Sequence, residues 1–276
     1  MINLKIKAKH GFIDGTLKEA KGTKQKQLAI IINGLNGFST YGMFPFIQDE
    51  LLANGISSVL FNFSHGGIRG ENDIFTELDL YESNSMKLEV LDIISIFNYL
   101  KENSIEFDEL YLISHSLGSI PAVFAGKDII QLDKNKLKGI ILIAPSMNLD
   151  FWGDENMKKW KEQGYLIYDN KRTNQKLKLG KEYFNETLES ESTWNLKEAL
   201  SKTPVRYLII HGEKDESIPM EESETINQWN VDVNNSSTLI KIPNANHNFN
   251  VTHKDKKITP EFTKLMSNVK VWLKEK

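Results

Sequence analysis

The residues best suited to chemistry lie in the pentapeptide Ser114-His115-Ser116-Leu117-Gly118, which directly follows the apolar run 110–113. Such a run is typical of a buried strand, and the mostly apolar residues after the pentapeptide predict a helix packed against it. Ser116 would then lie at the apex of a sharp turn, which requires small residues two positions before and after it. A serine held in this way can act as a nucleophile, although an ordinary turn with a capping serine has the same pattern.

A serine hydroxyl is a poor nucleophile at neutral pH, so it needs an imidazole as general base and usually a carboxylate that orients the ring. The chain has six histidines. We predict that His247 is the base, because it directly follows the last predicted strand. His115 is discounted because its side chain should point away from that of Ser116, and His211 is predicted to be structural at the end of a strand. The other three are placed in an N-terminal hairpin, on an earlier loop and in a charged, exposed segment: His10, His65 and His253.

Apolar runs that alternate with helical patterns organise most of the chain. Residues 2–19 predict a hairpin with one turn near His10-Gly11 and a second turn at Asp14-Gly15. Further strands are predicted at 28–32, 58–61, 110–113, 138–144, 206–210 and 238–242, and helices near 42–54, 84–101, 220–230 and after the N-cap Thr259. This alternation predicts a mainly parallel sheet with helices on both faces. Ligands bind outside the carboxyl ends of such strands, where the loop of Ser116 and the loop of His247 would meet.

The segment 147–203 interrupts this alternation. Strand-like apolar runs disappear there, and aromatic residues such as Trp152 and Trp160 are scattered among charged residues. So long a segment is uncommon as a simple connection, and its aromatic content predicts that it is ordered. The aromatic side chains could line a ligand pocket or pack the segment onto the rest of the protein.

The pentapeptide resembles the nucleophile elbow of the α/β-hydrolases, G-x-S-x-G, with Ser114 in place of the first glycine. The stretch from His211 to Pro219 resembles the turn after strand seven of that family, H-G-x-x-D-x-x-V/I-P. The resemblance implies that Asp215 orients the base. The resulting order of Ser116, Asp215 and His247 is the order that α/β-hydrolases use.

The same resemblance implies an oxyanion hole made by the backbone N–H groups of Leu35 and Leu117. Many relatives have His-Gly where this chain has Asn33-Gly34. Because the donors belong to the main chain, the difference should leave the hole intact. Within the family the chain looks closest to compact bacterial esterases, including the cinnamoyl and feruloyl type, which carry a short cap after the sixth strand.

This likeness implies an α/β-hydrolase fold with a sheet of about eight strands, a core at 1–146 and 204–276, and a cap at 147–203. Trp152 and Trp160 would line an acyl or aryl pocket in the cap. The implied activity is hydrolysis of small carboxylic esters through an acyl-enzyme. A thioesterase, an acyltransferase or a small peptidase would use the same residues, and a non-catalytic binding module is a further alternative.

Composition narrows the classes of function. The chain of 276 residues has no cysteine, which excludes disulfides and cysteine catalysis and fits a reducing compartment, so we expect a cytoplasmic protein. We expect no signal peptide and no membrane span. The formal charge of −3 gives no indication of a nucleic-acid partner. No metal or cofactor motif is evident, and the sequence leaves the oligomeric state open.

Overall fold

The computed structural model describes residues 1–22 and 26–275. Its strands, in chain order, are β1 Ile2–Lys7, β2 Phe12–Lys18, β3 Gln27–Ile32, β4 Ser57–Asn62, β5 Glu109–His115, β6 Leu137–Ile143, β7 Leu166–Asn170, β8 Gln175–Leu179, β9 Arg206–Gly212 and β10 Ser237–Ile242. Its helices are α1 Phe44–Ala53, α2 Leu78–Glu82, α3 Met86–Glu102, α4 Ser119–Leu132, α5 Asp154–Gln163, α6 Lys181–Leu188, α7 Leu196–Ser201, α8 Met220–Asp232 and α9 Pro260–Lys274.

Within the described residues, one sheet of eight strands forms the centre of the fold, in the order β1-β2-β4-β3-β5-β6-β9-β10. The six strands from β4 to β10 in this order are parallel, whereas β1 and β2 form an antiparallel hairpin at one edge. The predicted fold class, a mainly parallel sheet with helices on both faces, is confirmed. All of the strongly apolar runs predicted as strands belong to this sheet.

The prediction of a turn at Asp14-Gly15 is wrong, because both residues lie inside β2. Gly15 pairs with Phe61 of β4, and a Cβ at position 15 would lie 2.5 Å from the carbonyl oxygen of Leu60. The glycine therefore allows two strands to approach closely. The sequence alone does not distinguish a glycine used in this way from a glycine in a turn.

Helices cover both faces of the sheet and make two hydrophobic layers. One layer contains α1 and α9, and the other contains α3, α4 and the segment between β6 and β9. Helix α9 begins as predicted, with Pro260 in its first turn and with Thr259 Oγ1 accepting a hydrogen bond from the N–H of Phe262 at 3.0 Å. No helix of the described residues is both long and apolar enough to cross a membrane.

The segment between β6 and β9, called the insertion below (147–203), contains α5, the antiparallel pair β7–β8, α6 and α7. The expectation that strands disappear there is wrong, since the insertion contains two short strands. Strand β8 alternates buried leucines with polar residues, whereas β7 buries only Leu166 and Asn170 at its two ends. The insertion is fastened to the region of α2 and α3. The N–H of Gly180 donates to Glu82 O at 2.8 Å, and the carboxylate of Glu186 accepts from the N–H groups of Met86 and Lys87, the first residues of α3, at 2.6 and 3.1 Å.

Candidate active site

Ser116 lies at the junction of β5 and α4, in a single 3₁₀ turn formed by residues 116–118. Its φ of +57° places a non-glycine residue in the left-handed region, which costs about 1–3 kcal/mol and is typical of functional sites. Two neighbours allow the turn. Ser114 is buried, and a Cβ at Gly118 would lie 2.6 Å from the carbonyl oxygen of Asn33. Ser116 itself is half-buried, so its side chain keeps access to the surface.

Asp215 lies in the turn after β9, and its carboxylate accepts four hydrogen bonds. Oδ1 accepts from the main-chain N–H groups of Ser217 at 2.8 Å and Ile218 at 3.0 Å. Oδ2 lies 2.8 Å from Nδ1 of His247 and 3.1 Å from Nε2 of His211. The structure therefore brings the predicted acid and the predicted base into direct contact.

The hydrogen bonds decide the charge of Asp215. Burial by itself raises the pKa of this carboxyl, but the hydrogen bonds from His211 and His247 outweigh burial and hold the pKa well below its ordinary value. Asp215 is consequently ionised at every pH at which the protein would work. An ionised acceptor at Oδ2 requires a proton on Nδ1 of His247, which leaves Nε2 free to act as a base.

His211 supports this carboxylate from behind, in keeping with its predicted structural role. Its Nε2 lies close to two acceptors, Asp215 Oδ2 and the carbonyl oxygen of Ile218 at 3.1 Å, so Nε2 carries the proton. Nδ1 then accepts from the hydroxyl of Ser223, at 2.6 Å. The side chain is fully buried.

His247, in the loop after β10, is connected to the nucleophile turn through His115. Nε2 of His115 donates to the main-chain carbonyl oxygen of His247 at 2.9 Å, and the two ring centroids are 4.5 Å apart. Burial and the neighbouring His247 lower the pKa of His115 well below its ordinary value, so His115 is neutral. The structure thus places His247 against the residue that precedes Ser116. Sequence reasoning discounted His115 because of its orientation, and no local pattern marks its contact with a loop 132 residues away.

The loop after β3 lies directly against the nucleophile turn. A Cβ at Gly34 would be 2.7 Å from the carbonyl oxygen of His115 and 3.1 Å from the N–H nitrogen of Leu117. Residues 34–37 form a turn closed by a hydrogen bond from Gly37 N–H to Gly34 O at 2.9 Å, with Leu35 in its second position. The structure therefore places the loop of Leu35 beside the backbone of Leu117. Asn33 stands where many relatives have histidine, and its side chain pins the loop by donating to Phe61 O at 3.1 Å.

The two tryptophans predicted to line a pocket lie in one aromatic cluster of the insertion. Trp160 is fully buried, and its N–H donates to Gly180 O at 3.1 Å, so it has no free surface for a ligand and packs the interior. Trp152 is half-buried and contacts Trp160 and Tyr168, with ring centroids 5.3 and 5.6 Å apart. Its indole N–H is buried without a hydrogen-bond partner.

His253 differs from the expectation of an exposed residue. Its ring stacks on Tyr41 with the centroids 5.0 Å apart, and its Nδ1 accepts from the N–H of Gly42 at 3.3 Å. His65 is buried beside Ser64 and Asp92. Neither residue contacts Asp215 or His247, so neither belongs to the candidate catalytic set of Ser116, Asp215 and His247. Across residues 1–22 and 26–275, no group of three or more acidic, cysteine or histidine side chains could hold a metal ion.

Solved structures share this architecture over nearly the whole chain. Est1E from Butyrivibrio proteoclasticus with bound ferulic acid superposes with a TM-score of 0.73 at 18% identity, covering 98% of this chain and 97% of that one. The esterase domain of a Rhodothermus marinus protein gives 0.66 at 12% identity, with 98% and 96% covered. An esterase from Pyrococcus furiosus gives 0.63 at 16% identity, with 99% and 90% covered.

These likenesses define the class to which the architecture belongs. The protein has the α/β-hydrolase fold, as its resemblance at the nucleophile turn implies. No protein-family model and no curated protein sequence matches the chain.

Proposed function

We propose that the protein is a serine hydrolase that cleaves small carboxylic esters. The observation that carries this proposal is the 2.8 Å hydrogen bond between His247 and the ionised Asp215. His115 binds the main chain of His247 and directly precedes Ser116, whose backbone is left-handed. An acid, a base and a serine at the junction of strand and helix form the arrangement that activates a hydroxyl for attack on an acyl carbon. The structural likeness to esterases supports the same class of substrate.

In the proposed reaction, Ser116 Oγ attacks the ester carbonyl while Nε2 of His247 takes the hydroxyl proton. The main-chain N–H groups of Leu35 and Leu117 stabilise the negative charge on the former carbonyl oxygen. Collapse of this intermediate releases the alcohol, which receives the proton from His247, and leaves an acyl group on Ser116. Water, deprotonated by His247, then attacks the acyl-enzyme. As this second intermediate collapses, the carboxylic acid leaves and His247 returns the proton to Ser116 Oγ. Asp215 stays ionised and stabilises the imidazolium in both halves.

We further propose that residues 1–146 and 204–276 form the catalytic core and that the insertion is a cap over it. Trp152 is the proposed substrate contact, because its ring is half-buried whereas Trp160 is fully buried. Trp160 would support Trp152 from the interior of the cap.

The test compares Ser116→Ala with Ser114→Ala, a matched control from the same strand exit whose hydroxyl makes only a 3.4 Å contact with Ile141 O. With p-nitrophenyl esters of increasing chain length, Ser116→Ala should lose activity on the order of 10⁶-fold, as in serine proteases. The control should remain active, and a fluorophosphonate probe should label it but not Ser116→Ala. A Ser116→Ala variant that keeps a tenth of the activity would reject the mechanism, and hydroxycinnamate esters and acyl-CoA thioesters in the same panel would define the acyl group.

A further inference from the structure

Asn36, the residue after Leu35, is held by two tyrosine hydroxyls from different parts of the chain. Tyr81 of α2 donates to Asn36 Oδ1 at 2.6 Å, and Tyr168 of β7 donates to the same oxygen at 2.8 Å. The two hydroxyl groups also contact each other. The loop after β3, helix α2 and the insertion therefore meet at the side-chain oxygen of Asn36.

The two tyrosine hydroxyls have one proton each, and the amide oxygen has two lone pairs, so both hydroxyls can donate to Asn36 Oδ1. Both protons are then used, and the contact between the two hydroxyl oxygens is not a third hydrogen bond. Burial raises the pKa of Tyr168 to about 12 and that of Tyr81 well above its ordinary value. Both hydroxyls thus remain neutral donors throughout the physiological pH range.

The junction controls the backbone on which the proposed oxyanion hole depends. Asn36 has φ +61° and occupies the third position of the turn 34–37, where a positive φ is what a type II turn requires. Asparagine tolerates this conformation better than most residues, and the two hydroxyls hold its side chain in one place. The hydrogen bond from Gly37 N–H to Gly34 O holds the peptide unit that also contains the Leu35 N–H. Asn36 must keep its conformation for this bond to form, so it limits the direction of the Leu35 N–H.

We propose that Tyr168 is a positioning residue for the oxyanion hole: together with Tyr81 it clamps Asn36 and thereby aims the N–H of Leu35. This inference rests on the proposed function. It gives the insertion a role in the chemical step besides covering the site. A second contact from the same hairpin, Arg172 Nη1 to the carbonyl oxygen of Asn36 at 3.4 Å, is longer and adds little.

The test is Tyr168→Phe, which removes one hydroxyl and keeps the ring that contacts Trp152. Tyr183→Phe is the matched control, because Tyr183 lies in the same aromatic cluster, is fully buried, and has a hydroxyl without a hydrogen-bond partner. Tyr168→Phe should lower kcat about tenfold and leave KM within about twofold, because a small misplacement of a catalytic donor acts on the transition state. It should weaken inhibition by phenylboronic acid, which forms a tetrahedral adduct with serine, by a similar factor.

Asn36→Gly tests the same clamp from the other side, since glycine accepts the positive φ but offers no side-chain acceptor. The double variant should lose no more kcat than the larger single loss, because both changes remove one shared interaction. Thermal unfolding midpoints of all variants report whether the fold is intact.

The outcomes separate this inference from the proposed function. Wild-type kcat in Tyr168→Phe, or an equal loss in Tyr183→Phe, would overturn the clamp while leaving the hydrolase proposal in place. A wild-type protein that binds phenylboronic acid but cleaves no ester would refute the proposed function. In that case the affinity for phenylboronic acid alone tests the clamp on Asn36. Weaker binding by Tyr168→Phe than by the wild-type protein would support the clamp, and equal binding would reject it.

Discussion

His115 and His247 lie ring against ring, 4.5 Å between centroids, and the side chain of the first donates to the main-chain oxygen of the second at 2.9 Å. The contact fixes the loop that carries the proposed base to the strand that carries the proposed nucleophile. We expect His115→Phe to reduce the free energy of unfolding by about 1–3 kcal/mol, because a buried carbonyl oxygen loses its donor.

The same variant should lower kcat about tenfold, since the base is held less precisely. His115→Gln keeps a side-chain donor and should recover part of both losses. Urea unfolding and p-nitrophenyl ester hydrolysis measure the two effects. Wild-type kcat in His115→Phe would show that the loop of His247 is held without this contact.

Asp215→Asn should leave the fold in place and lower kcat on the order of 10⁴-fold, as the corresponding change does in a serine protease. An amide NH₂ in place of Oδ2 cannot accept the hydrogen bonds that His211 and His247 donate. His247 would then lose the negative charge beside its ring and the acceptor that keeps its proton on Nδ1. Glu216→Gln is the control, because Glu216 is an exposed carboxylate in the same turn. Steady-state kinetics should show normal activity for the control, and equal rates for the two variants would remove Asp215 from the mechanism.

Gly34→Ala should damage the oxyanion hole, since the added Cβ would lie 2.7 Å from His115 O and 3.1 Å from Leu117 N. Moving one donor out of place should lower kcat by up to ~10²–10³-fold. Gly42→Ala, in the same loop, is the comparison: its φ of +52° makes alanine unfavourable, but no atom lies within 4 Å of the added Cβ. It should lose stability and keep kcat, and a similar kcat loss in both variants would contradict the prediction.

Glu89 gives a prediction about stability and pH. Burial raises its pKa to about 8, while Asn84 Nδ2 donates to its Oε1 at 2.8 Å. Between about pH 4.5 and 8 the unfolded chain has lost this proton and the folded chain has kept it, so the group costs stability as pH rises through that range.

Glu89→Gln keeps the acceptor and removes the titration, so it should stabilise the protein at pH 8 by roughly 4 kcal/mol relative to its effect at pH 4. Urea unfolding at the two pH values gives the difference. Glu102→Gln, an exposed position on the same helix, should show no such difference. A pH-independent effect of Glu89→Gln would mean that the buried carboxyl is ionised in the folded state.

The sequence predicted the sheet well because its central strands contain uninterrupted apolar runs, such as 28–32 and 140–144, which are typical of strands buried on both faces. It also placed Ser116, Asp215 and His247 at carboxyl ends of parallel strands. The short strands β7 and β8 were missed because each buries only two residues: Leu177 and Leu179 alternating with lysines in β8, and Leu166 and Asn170 at the two ends of β7. The contacts of His115 with His247 and of Asn36 with Tyr168 join residues 132 positions apart, and their local patterns give no sign of the partner.

The carboxylate of Asp215 has both oxygens engaged twice, by two main-chain N–H groups on one side and by two imidazoles on the other. These contacts keep the carboxylate from rotating, and they satisfy its oxygens without hydrogen bonds from water. When a proton arrives on the neighbouring ring, the compensating charge is already in position, and the surroundings have little left to rearrange. The turn 215–218 therefore preorganises the negative charge of the site in the folded protein, before any substrate binds.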